Sequence, residues 1–160
     1  MNKKFLIFTI SLILFFISSI CLAAGTVTFA VARAPGSGFL KITATCTADA
    51  ADGSYPVTQI PYVIAGRYLF SVNTYYGATG PTDNTDLEIL ADSNSGYDIL
   101  NGSGTNQIDN AANNHFKPIV NDPTATASDT VMPVYDDLYV KITNNSVNSA
   151  IVTIVLKFIK

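Results

Sequence analysis

The stretch that decides the fold is "DDLYVKITNNSVNSAIVTIVLKFI", residues 136 to 159. Leu138, Val140 and Ile142 alternate with Tyr139, Lys141 and Thr143. After "NNSVNS", the residues Val152, Ile154, Leu156 and Phe158 form one set, and Ile151, Thr153, Val155 and Lys157 the other. Period two is the signature of extended chain, because successive side chains point to opposite faces. The two runs with a polar turn between them predict a C-terminal β-hairpin. The final "VLKFIK" is apolar on both sets, which suits a central strand or one that pairs with a neighbouring subunit.

Working outward, the same period recurs. "TVTFAVA" sets Val27, Phe29 and Val31 on one side, and "ARAPGSG" breaks it with Pro35, Gly36 and Gly38. In "FLKITATCTA", Leu40, Ile42, Ala44, Cys46 and Ala48 share a face. "ADAADGS" turns through Asp52-Gly53, a dipeptide that accepts positive φ. "YPVTQIPYVIAG" carries Pro56 and Pro61, so it reads as edge strand or crossover. "RYLFSVNTYY" predicts a strand with Tyr68, Phe70 and Val72 on one side. "DLEILA", "YDIL" and "TVMPVY" read as short strands, the last at an edge. Residues 101–118 read as a long polar loop, exposed and functional or holding a short helical turn near Asp109 to Asn113; "NDPTATASD" is a second polar stretch. No helical period and no internal repeat is sustained after residue 25. Seven or eight short strands separated by Gly, Pro and Asn turns predict an all-β antiparallel β-sandwich, of jelly-roll or immunoglobulin-like order. The Cys–Trp–Cys pattern of immunoglobulin domains is missing, since the chain has no Trp.

The first 24 residues read differently. "MNKK" is a positive start, "FLIFTISLILFFISSICLAA" is apolar and uncharged, and it ends in small residues. That is the three-part pattern of a secretory signal peptide. The run is also long enough to span a bilayer, so an uncleaved anchor is the alternative. Residues 25–160 are then one domain with a core of its own. The chain has 9 basic and 12 acidic residues; without Lys3 and Lys4 the balance is 7 against 12, a net of −5. That balance opposes nucleic-acid binding, which needs a basic face, and adhesion to anionic membranes. The expected location is the medium, the cell surface or the envelope.

Few residues are suited to chemistry. Cys21 lies in the leader, which leaves Cys46 without an internal disulfide partner. Its place on an apolar face predicts a buried, unreactive thiol. His115 is the only histidine, in a polar loop, with no G-x-S-x-G nearby and no second residue marked to orient it. One Cys and one His cannot make a zinc site. Asp83, Asp86, Glu88, Asp92, Asn94 and Asp98 form an oxygen-rich run suited in type to calcium. "DSNSGYD" starts like a calcium loop, but Gly96 comes one place early and the twelfth position is Ser103. The competing reading is that Asp and Asn close turns on their own backbone. No catalytic residue, cofactor or metal ligand is assigned, and an enzyme is not expected. Tyr75, Tyr76, Tyr97, Tyr135 and Tyr139 offer flat faces that a glycan or protein surface could use.

Four stretches carry a resemblance: "CTADAADGS" (46–54), "YGATGPTDNTDLEIL" (76–90), "DILNGSG" (98–104) and "LYVKITNNSVNSAIVTIVL" (138–156). In that order they resemble small structural proteins of tailed bacteriophages and prophages, over about Thr45 to Leu156. The resemblance implies a non-catalytic β-sandwich that assembles into or decorates a virion, with no catalytic residue to carry over. The export leader departs from that pattern and points to a version sent to the cell surface or medium. The expected partners are copies of itself or another envelope or virion protein. A secreted glycan- or surface-binding adhesion module is the alternative, and a calcium-stabilised adhesin a third.

Overall fold

The structure, a computed structural model, describes residues 24–34, 36, 38–120, 128–129 and 131–160. The leader reading and most of "NDPTATASD" lie outside those residues. The strands are β1 (Thr26–Arg33), β2 (Leu40–Thr47), β3 (Thr58–Gln59), β4 (Arg67–Tyr76), β5 (Asp86–Ala91), β6 (Asn114–Phe116), β7 (Ile119–Val120), β8 (Ser128–Asp129), β9 (Met132–Val134), β10 (Leu138–Thr143) and β11 (Ile151–Ile159). Six are long and five have two or three residues, so the expected seven or eight resolve into a stronger and a weaker class. There is no helix among the described residues.

The strands form an antiparallel β-sandwich. The larger sheet runs β1-β2-β11-β4-β6, with β9 also on β4; the smaller runs β3-β10-β5; β7 and β8 make a separate ribbon. Leu40, Ile42, Ala44 and Cys46 of β2 face inward with Val152, Ile154, Leu156 and Phe158 of β11. Against them lie Leu138, Val140 and Ile142 of β10 and Leu87 and Ile89 of β5. The alternation read from the sequence is therefore the inward-facing set of each sheet.

The C-terminal hairpin does not exist. β10 pairs with β3 and β5, whereas β11 pairs with β2 and β4. The two runs belong to opposite sheets and put their apolar faces into the same core. The link between them must cross the roughly 10 Å between sheets instead of the roughly 4.8 Å between neighbouring strands. Asn144 and Ser149 bend it at φ 65° and 55°. Its exit is steered away from β10, since Ala48 N–H donates to Ala150 O at 2.8 Å and Ile151 N–H to Thr79 O at 2.8 Å. β11 lies between β2 and β4, so "VLKFIK" is apolar on both sets because it is central.

β4 does not keep the alternation expected of it either. Val155 to Lys157 pair with Asn73 to Ser71, but Phe158 pairs with Leu69, which leaves Phe70 as an extra residue. The bulge reverses the alternation. Leu69 and Val72 are both fully buried, three positions apart, whereas Tyr68 is 42% exposed and Phe70 half-buried, so the expected face of Tyr68, Phe70 and Val72 does not exist. Its ring instead meets Phe39 edge-on, centroids 6.1 Å apart.

Candidate functional site

The acidic run begins at the turn before β5 and continues past its end. The outer edge of that strand has no strand partner among the described residues. Its N–H groups are nevertheless satisfied: Thr85 donates to Ile108 O, Leu87 to Gly104 O and Ala91 to Tyr97 O, each at 3.0 Å. Ile89 N–H donates to Asp98 Oδ1 at 3.0 Å. Ile108 N–H and Ile99 N–H return bonds to Thr85 O and Ile89 O. The segment 97–108 thus takes the place of a strand. Asp98 serves as a substitute carbonyl, and its carboxylate also accepts from Leu100 N–H and Gly102 N–H at 3.0 Å. "YDIL" is therefore a bridge plus a turn, with Leu90 opposite Asp98. Gly104 is required by the closeness of the approach, since a Cβ there would lie 2.0 Å from Leu87 O.

The other carboxylates are engaged in the same manner. Asp86 accepts from Asn106 N–H at 2.7 Å and from the Asn144 side-chain amide. Asp83 accepts from Asn110 N–H at 3.4 Å. Asp109 accepts from Ala111 and Ala112 N–H at 2.8 and 3.2 Å, forming a side-chain-closed turn where a helical turn was one expectation. The Ala111 N–H first, with the Ala112 N–H beside it, holds Asp109 below the usual carboxylate range. Glu88 pairs with its cross-strand neighbour Lys141 at 2.7 Å. Asp92 is exposed in a left-handed conformation (φ 74°), and Asn94 is exposed beyond it. Among the described residues no three His, Cys, Asp or Glu side chains converge to hold a metal.

The three turn motifs at residues 46–54, 76–90 and 138–156 meet at one place. Asn145, in the link between β10 and β11, joins them with four bonds. Its Oδ1 accepts from Thr82 N–H at 2.8 Å and Val147 N–H at 3.3 Å. Its Nδ2 donates to Gly53 O at 2.6 Å and Val147 O at 3.0 Å. Ser146 N–H reaches Thr82 Oγ1 at 2.8 Å, and Ser149 N–H reaches Asp49 O at 3.3 Å. Thr85 Oγ1, on a fully buried residue, donates to Thr82 O at 2.7 Å. Gly53 sits at φ 74°, where a Cβ would lie 3.0 to 3.2 Å from the Ser146–Val147 backbone. A cleft of about 290 Å³ opens beside this knot, lined by Ser54, Tyr55, Val57, Lys141, Thr143 and Asn145 among others. Sequence reading missed Asn145. The signal was the Asn-rich turn itself, but nothing in it reveals partners 63 and 92 positions away.

The remaining nominees separate. Cys46 is fully buried, and burial pushes its thiol up to about 12, so no thiolate forms at neutral pH. The pairing of β6 with β4 sets His115 opposite Asn73, and Ser71 Oγ lies 3.2 Å from His115 Nε2, a contact no spacing rule announces. No described carboxylate bonds the other ring nitrogen, so the pair lacks the third group that orients a base. Tyr75 and Tyr76 are consecutive on β4 and point to opposite faces, one beside Thr153 and the other beside Val152. Tyr97 and Tyr135 are exposed on separate loops, and Tyr139 stands on the smaller sheet. The tyrosines thus make no shared platform.

No family model, curated protein or solved structure matches this chain.

Proposed function

We propose that the chain is a non-catalytic structural protein, a phage-virion-like β-sandwich exported to the cell surface or medium, where it assembles into or decorates a larger structure. One observation carries this reading. The polar groups that the sequence offers for chemistry are used to tie loops down: Asp98 and Asp109 close backbone turns, Asp83 and Asp86 hold the backbone of Asn110 and Asn106, and Asn145 knots three distant motifs. A scaffold that commits its carboxylates to loop rigidity is suited to bearing load in an assembly. A hydrolase would instead need two carboxyl groups facing a shared space.

The four stretches that resemble the phage structural proteins support the same reading, because they meet or flank these tied turns. Fractionation of the producing cells tests it. The protein is expected to sediment with particles or envelope from cells and medium, and to be released by denaturant but not by chelator. Recovery as free soluble protein in every fraction would refute the assembly role.

A further inference from the structure

Each sheet of the sandwich has two edges, and three of the four are protected. An unpaired edge is a template for pairing with another chain, and stable proteins blunt it with short strands, prolines, bulges or covering loops. β3 has two residues and lies between Pro56 and Pro61. β5 is covered along its length by segment 97–108. The far side of β4 carries β6 and β9, three residues each, the second with Pro133 at its centre. β1 has no proline, no bulge and no pairing segment, and meets the neighbouring loop at its Gly25 end and through the Tyr62 hydroxyl on Phe29 O. It is eight residues long, about 27 Å at the usual rise per residue. Its register with β2 is unbroken from Thr26 to Arg33, with no bulge and no proline. Its only charge is the terminal Arg33, and no strand among the described residues pairs with its outer edge.

We infer that β1 is an assembly edge, and that its occupant is the β1 strand of a second copy of this chain, paired antiparallel across a two-fold axis. This rests on the structural reading above and names the surface that would serve it. Charge selects the partner and the direction. The Arg33 end of β1 is basic, with Lys41 directly opposite Ala32 on β2 and Lys157 opposite Lys41 on β11. The other end is acidic, since Gly25 lies against the turn that holds Asp49 and Asp52. Antiparallel pairing sets each basic end beside the partner's acidic end; parallel pairing would set Arg33 against Arg33. Between the ends, Val27, Thr28, Phe29, Ala30, Val31 and Ala32 are uncharged, so no like charges oppose one another in any antiparallel register. The inward side of β1 is also incompletely covered, with Val31 38 % exposed, and a second copy would extend the sheet over it. The Tyr62 hydroxyl donates to Phe29 O at 3.3 Å, a single contact that leaves most of the β1 backbone without a side-chain partner among the described residues.

The test is sedimentation equilibrium of the purified full chain across a concentration series, at low and high salt. A monomer–dimer equilibrium that weakens with salt is expected. Val31→Lys points a charge inward at the edge and should weaken the dimer at least tenfold. Arg33→Asp, at an exposed strand end that does not threaten the fold, should weaken it by a similar factor at low salt and less at high salt. Single cysteines at Thr28, Ala30 and Ala32 should cross-link selectively, the position nearest the axis best. A chain that stays monomeric at several hundred micromolar overturns the inference. So does a dimer unchanged by both substitutions and cross-linked instead through Thr45→Cys on the outer sheet face. A monomer that still sediments with particles overturns the edge but leaves the assembly role standing. A dimer found only as free soluble protein does the reverse.

Discussion

Replacing Asn145 by alanine should be the most damaging change to a half-exposed residue in this protein. The substitution removes four hydrogen bonds, to Thr82 N–H, Val147 N–H, Gly53 O and Val147 O. A typical bond contributes about 0.5–1.5 kcal/mol net, because the unfolded chain bonds water instead. The two bonds to Val147 are local and stand at the low end. The other two tie segments 63 and 92 positions away and stand higher. Partial exposure lets water replace some of what is lost, so the sum is about 2–3 kcal/mol. For a domain of this size, each kcal/mol moves Tm by about 3–4 °C, which places the fall at about 6–12 °C. Urea unfolding followed by tyrosine fluorescence should show a lower midpoint at an unchanged slope, the mark of lost stability without a changed unfolded state. Asn145→Asp keeps both acceptor bonds and loses both donations, so it should lose at least half as much. A loss within about 0.5 kcal/mol for Asn145→Ala, the range of an ordinary surface substitution, would refute the claim that the three motifs are held together at this residue.

Other consequences follow from the same geometry. Gly53→Ala should cost about 1–3 kcal/mol, from positive φ and the close Ser146–Val147 backbone, and should show in the same unfolding assay. Asp98→Ala removes three acceptor bonds and bares the β5 edge, so it should cost about 2–3 kcal/mol and raise light scattering on heating. Cys46 should resist thiol reagents at pH 8 in the folded protein and react fully once unfolded. Burial raises both Cys46 and Tyr55, so above about pH 9 the unfolded chain releases protons that the folded chain holds. The contribution of these two groups should then be level below that pH and fall as pH climbs toward 12; Cys46→Ala should shift the fall upward. Adding millimolar calcium should leave Tm unchanged; a rise that saturates would revive a cation role for Asp83 or Asp86.

Much of this fold is legible in single strands. The inward sets Leu40–Ile42–Ala44–Cys46 and Val152–Ile154–Leu156–Phe158 are plain in the sequence, because alternation is a local property of extended chain. Pro56 and Pro61 mark β3 as an edge for the same local reason. The β4 bulge is not legible. Phe70 is as apolar as Leu69, and only the pairing with β11 shows which of them is the extra residue. The acidic run shows the same division at the candidate site. Its residue types are right both for an ion and for turns. The choice depends on whether the oxygens converge, and Asp98 settles its own case by bonding Ile89, Leu100 and Gly102.

The sequence by itself determined an all-β chain, the inward side of most long strands and the polar turns between them. These follow from a two-residue period and from the backbone preferences of Gly, Pro, Asn and Asp. Only the tertiary structure decided which strands are neighbours. Residues 138–143 and 151–159 have the pattern of a hairpin, yet they face one another across the core from opposite sheets. Alternation records which side of a strand is buried, and that side is the same whether the next strand lies beside it or opposite it. The distinction rests on long-range bonds, Asn145 to Gly53 and Thr82 above all, whose partners no local pattern can name.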